Sequence, residues 1–214
     1  MNQKKKDIIF FGNFSEVLFT LEKTHSIKQV ICEQNKVPQE IENFCKVKAI
    51  SLLKIKALSD FFLEYATDPN TYAVSAGFGL LFKASQIKSF RAIYNFHPGS
   101  VYTNRGRHPL PNAILQGHKT MTLTVHQIID ESIDTGMLVS FTTFPIDYKR
   151  SYQYNCDRLL SGLNFLAQDL SNRLLEDWQP TLPIYPEKLS YFAALPSNKL
   201  DAICSAKELG LFQK

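Results

Sequence analysis

Residues Tyr72–His97, YAVSAGFGLLFKASQIKSFRAIYNFH, carry the pattern that most clearly predicts the fold class of this chain. They include two short apolar segments, Tyr72–Ala76 and Ala92–His97, whose aliphatic and aromatic residues are typical of buried strands. Similar apolar segments alternate with segments of helical period along most of the chain. This alternation predicts βαβ units, whose strands run parallel in one sheet.

Outward from this stretch, further strands and helices follow from the spacing of apolar residues. The other predicted strands are Asp7–Gly12, Ile27–Cys32, Lys46–Ile50, Met121–Ile128 and Met137–Phe144. The predicted helices are Ser15–Lys23 with Ser15 as its N-cap, Ala57–Tyr65, a short helix that begins at Pro109 or Pro111, and Ser151–Trp178. A turn is expected at Asp68–Asn70, and an irregular segment at Pro98–His108.

The long helix Ser151–Trp178 is amphipathic, since its apolar residues fall mainly at three- and four-residue intervals. Such a stripe is expected to pack on the sheet. The 214 residues are expected to form one domain, with a core over residues 7–150 and the helix and a tail over 151–214. The tail after Trp178 could wrap the domain or complete a binding site. The predicted fold is α/β, a Rossmann-like, mostly parallel sheet flanked by helices.

Composition narrows the class of protein. With 44% hydrophobic and 21% charged residues the chain is typical of globular domains, and its net charge of +4 is too modest for a dedicated nucleic-acid surface. The apolar segment after Lys4–Lys6 is too short for a signal peptide or a membrane span. The four cysteines lack paired spacing, so reduced thiols and a cytoplasmic location are expected. Small-molecule partners are expected, without nucleic acid or membrane, and a homodimer is left open.

Three polar residues around the second segment form a candidate catalytic centre. Asn95 and His97 are two positions apart, so they project from the same face of a strand. Asp134 lies in the acidic turn between the last two predicted strands and can reach the imidazole. An amide, an imidazole and a carboxylate could stabilise an oxyanion and move protons during acyl transfer, with either His97 or Asp134 as the base. Taken alone, the Asn-x-His pattern is better explained by hydrogen bonding at a strand end.

The motifs around this trio resemble the formyltransferases that use 10-formyltetrahydrofolate, in which Asn, His and Asp are catalytic. In that family a His-Pro segment leads to Arg-Gly at the distance that separates His97 from Arg105 here, although the Ser-Leu-Leu-Pro identities between them are lost. Asp130–Gly136 is similar to the family turn Asp-Glu-Gly-Ile-Asp-Thr-Gly, with Ser132 in place of glycine. The resemblance covers residues 8–146 and implies the formyltransferase fold.

The resemblance implies that 10-formyltetrahydrofolate is the co-substrate and that two loops hold its pterin. The cofactor-binding residues that it implies are Phe78, Gly79, Leu80, Leu81, Asp130, Glu131 and Ile133. From the residues alone, loops that merely flank the core are an equal explanation. A dinucleotide site is disfavoured, because Phe82 occupies the place of the third glycine in the Gly-x-Gly-x-x-Gly pattern.

The resemblance also implies that Arg105, Arg107 and His108 bind the acceptor, since arginine forks can hold phosphate groups. Within the family, the motifs of this chain most resemble those of enzymes that formylate a primary amine of a nucleotide-linked amino sugar. The alternatives are a phosphoribosylglycinamide formyltransferase-like enzyme, a formyltetrahydrofolate hydrolase, and a non-catalytic module that binds folate or nucleotide sugar. His126 is expected to be structural, and no metal site is expected, because no histidines accompany the acidic residues at ligand spacing.

Overall fold

The computed structural model describes residues 5–60, 70–185 and 191–212. The strands of this part are β1 (Asp7–Gly12), β2 (Ser26–Glu33), β3 (Ser51–Ile55), β4 (Tyr72–Ala76), β5 (Ile93–His97), β6 (Arg105–Gly106), β7 (Thr120–Ile128), β8 (Met137–Pro145), β9 (Leu182–Pro183) and β10 (Tyr191–Phe192). The helices are α1 (Ser15–Glu22), α2 (Gln39–Lys48), α3 (Ala84–Ile87), α4 (Pro109–Leu115), α5 (Tyr152–Leu175) and α6 (Ser197–Cys204). Short 3₁₀ helices lie at Leu58–Asp60 and Leu209–Phe212.

Eight strands form one sheet in the order β3-β2-β1-β4-β5-β7-β8-β9, and β6 pairs with β10 in a second, two-stranded sheet. The first five strands in this order, β3, β2, β1, β4 and β5, run parallel to one another. The next three are joined by antiparallel pairs, β5 with β7, β7 with β8 and β8 with β9. The predicted α/β class and mostly parallel sheet are therefore confirmed. The two strands that were predicted on either side of the acidic turn are also confirmed as neighbours.

Each face of the sheet carries an apolar cluster, because the central strands are buried on both sides. Ile8 and Phe10 face the cluster that includes the buried stripe of α5, whereas Ile9 and Phe11 face the opposite cluster. Helix α5 packs on β7, β8 and α1, as its amphipathic pattern predicts. The side chain of Ser151 caps its first turn by accepting a 3.1 Å hydrogen bond from the Tyr154 nitrogen. None of the helices in the described ranges combines the length and hydropathy of a membrane-spanning helix.

The prediction of a strand at Lys46–Ile50 is wrong. Helix α2 extends through Lys48 and ends at Ala49, which adopts a left-handed conformation with φ of 54°. The helix buries Ile41 and Cys45, which are four positions apart and therefore share one helical face. The strand follows as β3, which is partly exposed at the edge of the sheet, so its sequence lacks the continuous apolar run of a central strand.

Two smaller expectations also change. Ser15 is the first residue of α1 rather than its N-cap, and Phe14 holds the cap position without a side-chain hydrogen bond. Within the predicted helix Ala57–Tyr65, the structure has a 3₁₀ turn at Leu58–Asp60, and residues 61–65 lie outside the described residues. Residues 68 and 69 of the predicted turn also lie outside them.

Candidate active site

The face of β5 that carries Asn95 and His97 lies away from the long helix. Phe96 is buried in the cluster that includes α5, and Ile93 belongs to the cluster on the other face. Because side chains alternate along a strand, Asn95 and His97 project with Ile93. The loop between β7 and β8 brings Asp134 to this face, with its Oδ1 3.4 Å from Nδ1 of His97. The structure thus brings the three predicted catalytic residues together.

His97 is buried, and both of its ring nitrogens face acceptors. Nε2 lies 2.8 Å from the carbonyl oxygen of Asn104, and Nδ1 lies 3.4 Å from Asp134 Oδ1. Burial lowers the pKa of His97, and the Asp134 charge and the Asn104 carbonyl oppose this effect. Since a carbonyl only accepts hydrogen bonds, the contacts favour a proton on Nε2 and admit a second proton at Nδ1, beside the carboxylate.

Asp134 has a left-handed backbone, with φ of 51°, and its Oδ2 accepts a 2.7 Å hydrogen bond from the Gly106 nitrogen. Burial raises the pKa of Asp134, but the charge of His97, the contact with His126 and the Gly106 hydrogen bond outweigh burial and bring it to about 2. The lowered pKa of His97 favours a neutral ring, which would weaken the first of these effects. The Gly106 bond does not depend on that charge, so it favours the ionised form of Asp134 in either state of His97.

His126 joins the trio, although the sequence predicted only a structural role for it. It lies opposite Asn95 in the β5–β7 pair, and its Nε2 is 3.1 Å from the Asn95 amide nitrogen. The same Nε2 is 3.8 Å from Asp134 Oδ1. The signal that could have found His126 is the pairing of β7 with β5, which places it across from a candidate catalytic residue.

The arrangement suits acyl transfer. The amide nitrogen of Asn95 carries two N–H groups, of which His126 can accept one, so the other remains for a developing oxyanion. Asp134 and Nδ1 of His97 form an adjacent pair that can take up and release a proton. No group of three or more histidine, cysteine, aspartate or glutamate side chains suited to a metal occurs within the described ranges.

Two adjoining cavities open beside the trio. The smaller, about 90 Å³, is lined by apolar and acidic side chains, and it includes six of the seven predicted cofactor-binding residues: Phe78, Leu80, Leu81, Asp130, Glu131 and Ile133. The larger, about 480 Å³, contains the seventh, Gly79. Asn95 and Asp134 line both cavities, so the candidate catalytic residues lie at their junction.

Glu131 connects the two loops that line the smaller cavity. Its carboxylate accepts a 2.9 Å hydrogen bond from the Ala84 nitrogen and lies 3.3 Å from the Lys83 ammonium. These two hydrogen bonds lower the pKa of Glu131. The side chain is exposed, and its contacts with Lys83 and Ala84 hold the two loops together.

The predicted acceptor-binding residues have different positions. Arg107 and His108 line the larger cavity. Arg105 donates from Nη1 to the Ile133 carbonyl at 3.1 Å, which attaches β6 to the loop of Asp134. His108 Nδ1 accepts a hydrogen bond from the Leu195 nitrogen at 3.1 Å, so it attaches the C-terminal segment to the same region. Burial and then the charge of Arg107 lower the pKa of His108.

The larger cavity contains residues that the sequence did not indicate. They come from separate elements and comprise Asn13, Phe14, Glu33, Lys36 and Tyr191. Tyr191 reaches the cavity because β10 pairs with β6. Glu33 accepts a 2.8 Å hydrogen bond from the Gly79 nitrogen and pairs with Lys36 at 2.8 Å. The end of β2 therefore supplies a carboxylate to this cavity, and the turn after it supplies an ammonium.

Comparisons with known proteins agree with this architecture. The profile of a family described as formyl transferase matches residues 13–161. A crystal structure of WlaRD, a sugar 3N-formyl transferase in the presence of dTDP and 5-N-formyl-THF, has a TM-score of 0.71 at 17% identity over 89% of this chain and 70% of that chain. An N-formyltransferase from Helicobacter canadensis, in complex with folinic acid and dTDP-3-aminofucose, gives 0.69 at 19% identity over 89% and 71%.

A sugar N-formyltransferase from a Shewanella species is similar as well, with a TM-score of 0.69 at 18% identity over 88% of this chain and 76% of that chain. No curated protein matches the sequence significantly. At these identities the solved structures establish a shared fold.

Proposed function

The chain belongs to the formyl transferase family of enzymes, and we propose that it moves the formyl group of 10-formyltetrahydrofolate to a primary amine of a nucleotide-linked amino sugar. The observation that carries this proposal is the junction of two cavities at Asn95 and Asp134, with His97 beside them. A transfer between two substrates needs two binding spaces that meet at the reacting groups.

The smaller cavity is the proposed site for the pterin. Its apolar walls suit a flat ring, and the backbone of the loop at residues 130–134 offers polar groups to its edge. Two structural neighbours were crystallised with 5-N-formyl-THF or folinic acid, which supports a formylated folate as the co-substrate. We assign Phe78, Leu80 and Leu81 to the wall of this site and Gly79 to its boundary with the acceptor.

The reaction begins when the acceptor amine attacks the formyl carbon, and a tetrahedral oxyanion forms. The amide of Asn95 donates to that oxyanion. The amine loses one proton to the pair formed by Asp134 and Nδ1 of His97, which are 3.4 Å apart. When the carbon–nitrogen bond to the folate breaks, the pair returns a proton to the leaving nitrogen, and tetrahydrofolate and the formamide are released.

The larger cavity is the proposed acceptor site. Arg107 and Lys36 supply positive charge to it, and Tyr191 supplies an aromatic face. A phosphorylated acceptor with a planar base fits these groups, because arginine binds phosphate through its fork and a base stacks on an aromatic ring. The dTDP ligands of the two neighbours support a nucleotide sugar in particular. Free thiols at all four cysteines fit the reducing cytoplasm, which is the proposed location.

The proposal is tested by following tetrahydrofolate release from 10-formyltetrahydrofolate in the presence of different acceptors. The arms contain no amine, glycinamide ribonucleotide, or a panel of dTDP- and UDP-linked amino sugars. Turnover that requires an amino sugar is the expected result. Turnover without any amine would identify a hydrolase, turnover with glycinamide ribonucleotide would identify the other acceptor class, and folate binding with no turnover in any arm would contradict the transferase.

A further inference from the structure

A short loop contacts His97 at the nitrogen that does not face Asp134. The carbonyl oxygen of Asn104 lies 2.8 Å from His97 Nε2, and both residues are buried. This carbonyl and the Asp134 carboxylate at Nδ1 both only accept, but the carbonyl contact is within normal hydrogen-bond distance, whereas the carboxylate lies 3.4 Å away, so the single proton of the neutral ring is placed on Nε2. The other ring nitrogen, Nδ1, then carries the lone pair of the neutral imidazole.

We propose that Asn104 is a positioning residue that keeps neutral His97 in its Nε2-protonated tautomer, so that Nδ1 is the nitrogen that exchanges protons during formyl transfer. This inference rests on the proposed function, which makes His97 catalytic. A proton that leaves the acceptor amine reaches Nδ1 directly or through Asp134, and at Nδ1 it forms a charge-assisted hydrogen bond with that carboxylate. The proton on Nε2 stays on the ring throughout.

The side chain of Asn104 fixes the place of its own carbonyl. Its Nδ2 donates a 2.8 Å hydrogen bond to the carbonyl of Pro109, the first residue of α4. Its backbone nitrogen donates to the Ser100 carbonyl at 2.8 Å, which closes the loop on itself. Within the described part of the chain Oδ1 has no hydrogen-bond partner, so Nδ2 is the side-chain atom that anchors the loop to the helix.

The contact between His97 and the Asn104 carbonyl also requires that residue 99 has no side chain. A Cβ atom at this position would lie 2.5 Å from His97 Nε2 and 2.6 Å from the Asn104 carbonyl oxygen. These distances are too short for any carbon, so a side chain at Gly99 would push the ring and the carbonyl apart. The carbonyl of Gly99 is held by the Thr124 hydroxyl at 2.9 Å, which limits how far the loop could move to relieve the clash.

The test is ¹⁵N NMR of the histidine rings at alkaline pH, combined with steady-state kinetics. The signals of His97 are assigned by their loss in His97→Asn. We expect Nε2 of the wild-type ring to be protonated and Nδ1 to be bare. In Asn104→Ala and Gly99→Ala we expect a mixture of tautomers and a fall in kcat of at least about tenfold, because small errors in catalytic geometry and the wrong tautomer are costly. KM for both substrates should stay within about twofold, since neither side chain is placed in a substrate site.

Thr103→Ala is the matched control, because Thr103 is exposed in the same loop and next to Asn104. It should keep the wild-type tautomer and rate. A wild-type ring protonated at Nδ1 would overturn the proposal, and so would a wild-type tautomer and kcat in folded Asn104→Ala. If Gly99→Ala does not fold, the proposal is tested by the wild-type spectrum and by the tautomer and kcat of Asn104→Ala. Undiminished turnover in His97→Asn would instead refute the catalytic role of His97, while the tautomer would still report whether Asn104 positions the ring.

Discussion

The two cavities beside His97 are built in different ways. The smaller is lined mainly by two continuous loops, residues 78–82 and 130–134. The larger is assembled from segments that are far apart in sequence, from Asn13 to Tyr191. The proposed folate site is therefore specified by local motifs, whereas the proposed acceptor site depends on how distant elements pack. On this proposal, the acceptor is the part of the function that can change with little change in the motifs.

The largest effect on turnover is expected from substitutions at the junction of the two cavities. Residues there serve both proposed substrates, so the distinction between the two cavities should not matter. His97→Asn and Asp134→Asn should each lower kcat by ~10²-fold or more, because oxyanion and proton-transfer groups each contribute that much. KM for folate and acceptor should change far less, as measured by steady-state kinetics. His118→Asn is the control, since His118 lines a separate cavity. Rates near wild type in both junction variants would refute the assignment of the catalytic residues.

A second effect concerns the stability of the folded protein in acid. It arises from Asp134, which lines both cavities. Its folded pKa of about 2 lies below its ordinary value of 3.8, so ionised Asp134 stabilises the fold above that value, and this contribution is lost as the pH falls towards 2. The loss should be about 2 kcal/mol. Urea unfolding at pH 6 and pH 2.5 should show that the stability difference between the wild type and Asp134→Asn narrows. A constant difference across this range would mean that the Asp134 pKa is not lowered.

A third substitution should change binding at the larger cavity and leave binding at the smaller cavity unchanged. Arg107→Ala should raise KM for an anionic acceptor about tenfold, since a charge-assisted hydrogen bond would be lost, and it should leave KM for the folate unchanged. Arg158→Ala is the matched control, because Arg158 belongs to α5 on the opposite face of the sheet. Equal increases in both KM values would show that the cavities do not act as separate sites.

The smallest effect concerns the folate side alone. Glu131→Gln weakens the attraction to Lys83 and the link between the two loops, so KM for the folate should rise by roughly threefold, in line with an exposed ion pair. The acceptor KM should not change. Glu42→Gln, which removes another surface ion pair, should leave both KM values at the wild-type level. An acceptor KM that rises with the folate KM would argue against a role confined to the smaller cavity.

The sequence predicted the central strands well because burial leaves a strong pattern in them. Strand β4 was predicted with its observed ends, since its five residues are buried on both faces. The edge of the sheet was predicted poorly. The strand predicted at Lys46–Ile50 is wrong because Lys46–Lys48 belong to α2, and a helix that buries only two side chains has a weak period.

The proximity of Asn95, His97 and Asp134 could be predicted because the first two share one strand and the third lies in a turn that resembles a family motif. The contact of His126 with Asn95 was not predicted, because it depends on the antiparallel pairing of β5 with β7, which places the two residues opposite each other. Tyr191 left no signal, since a two-residue strand has no periodicity from which its pairing with β6 could be predicted. Such contacts arise from tertiary packing and not from local preference.

The most direct test of formyl transfer at this trio is to follow the formyl carbon itself. The enzyme is incubated with 10-[¹³C]formyltetrahydrofolate and a dTDP-linked amino sugar, and the carbon is observed by NMR. We expect the label to appear as a formamide on the sugar with the wild type and with His118→Asn, and not with His97→Asn or Asp134→Asn. Label that is released as formate, or that reaches the sugar equally fast in the His97 and Asp134 variants, would contradict the account.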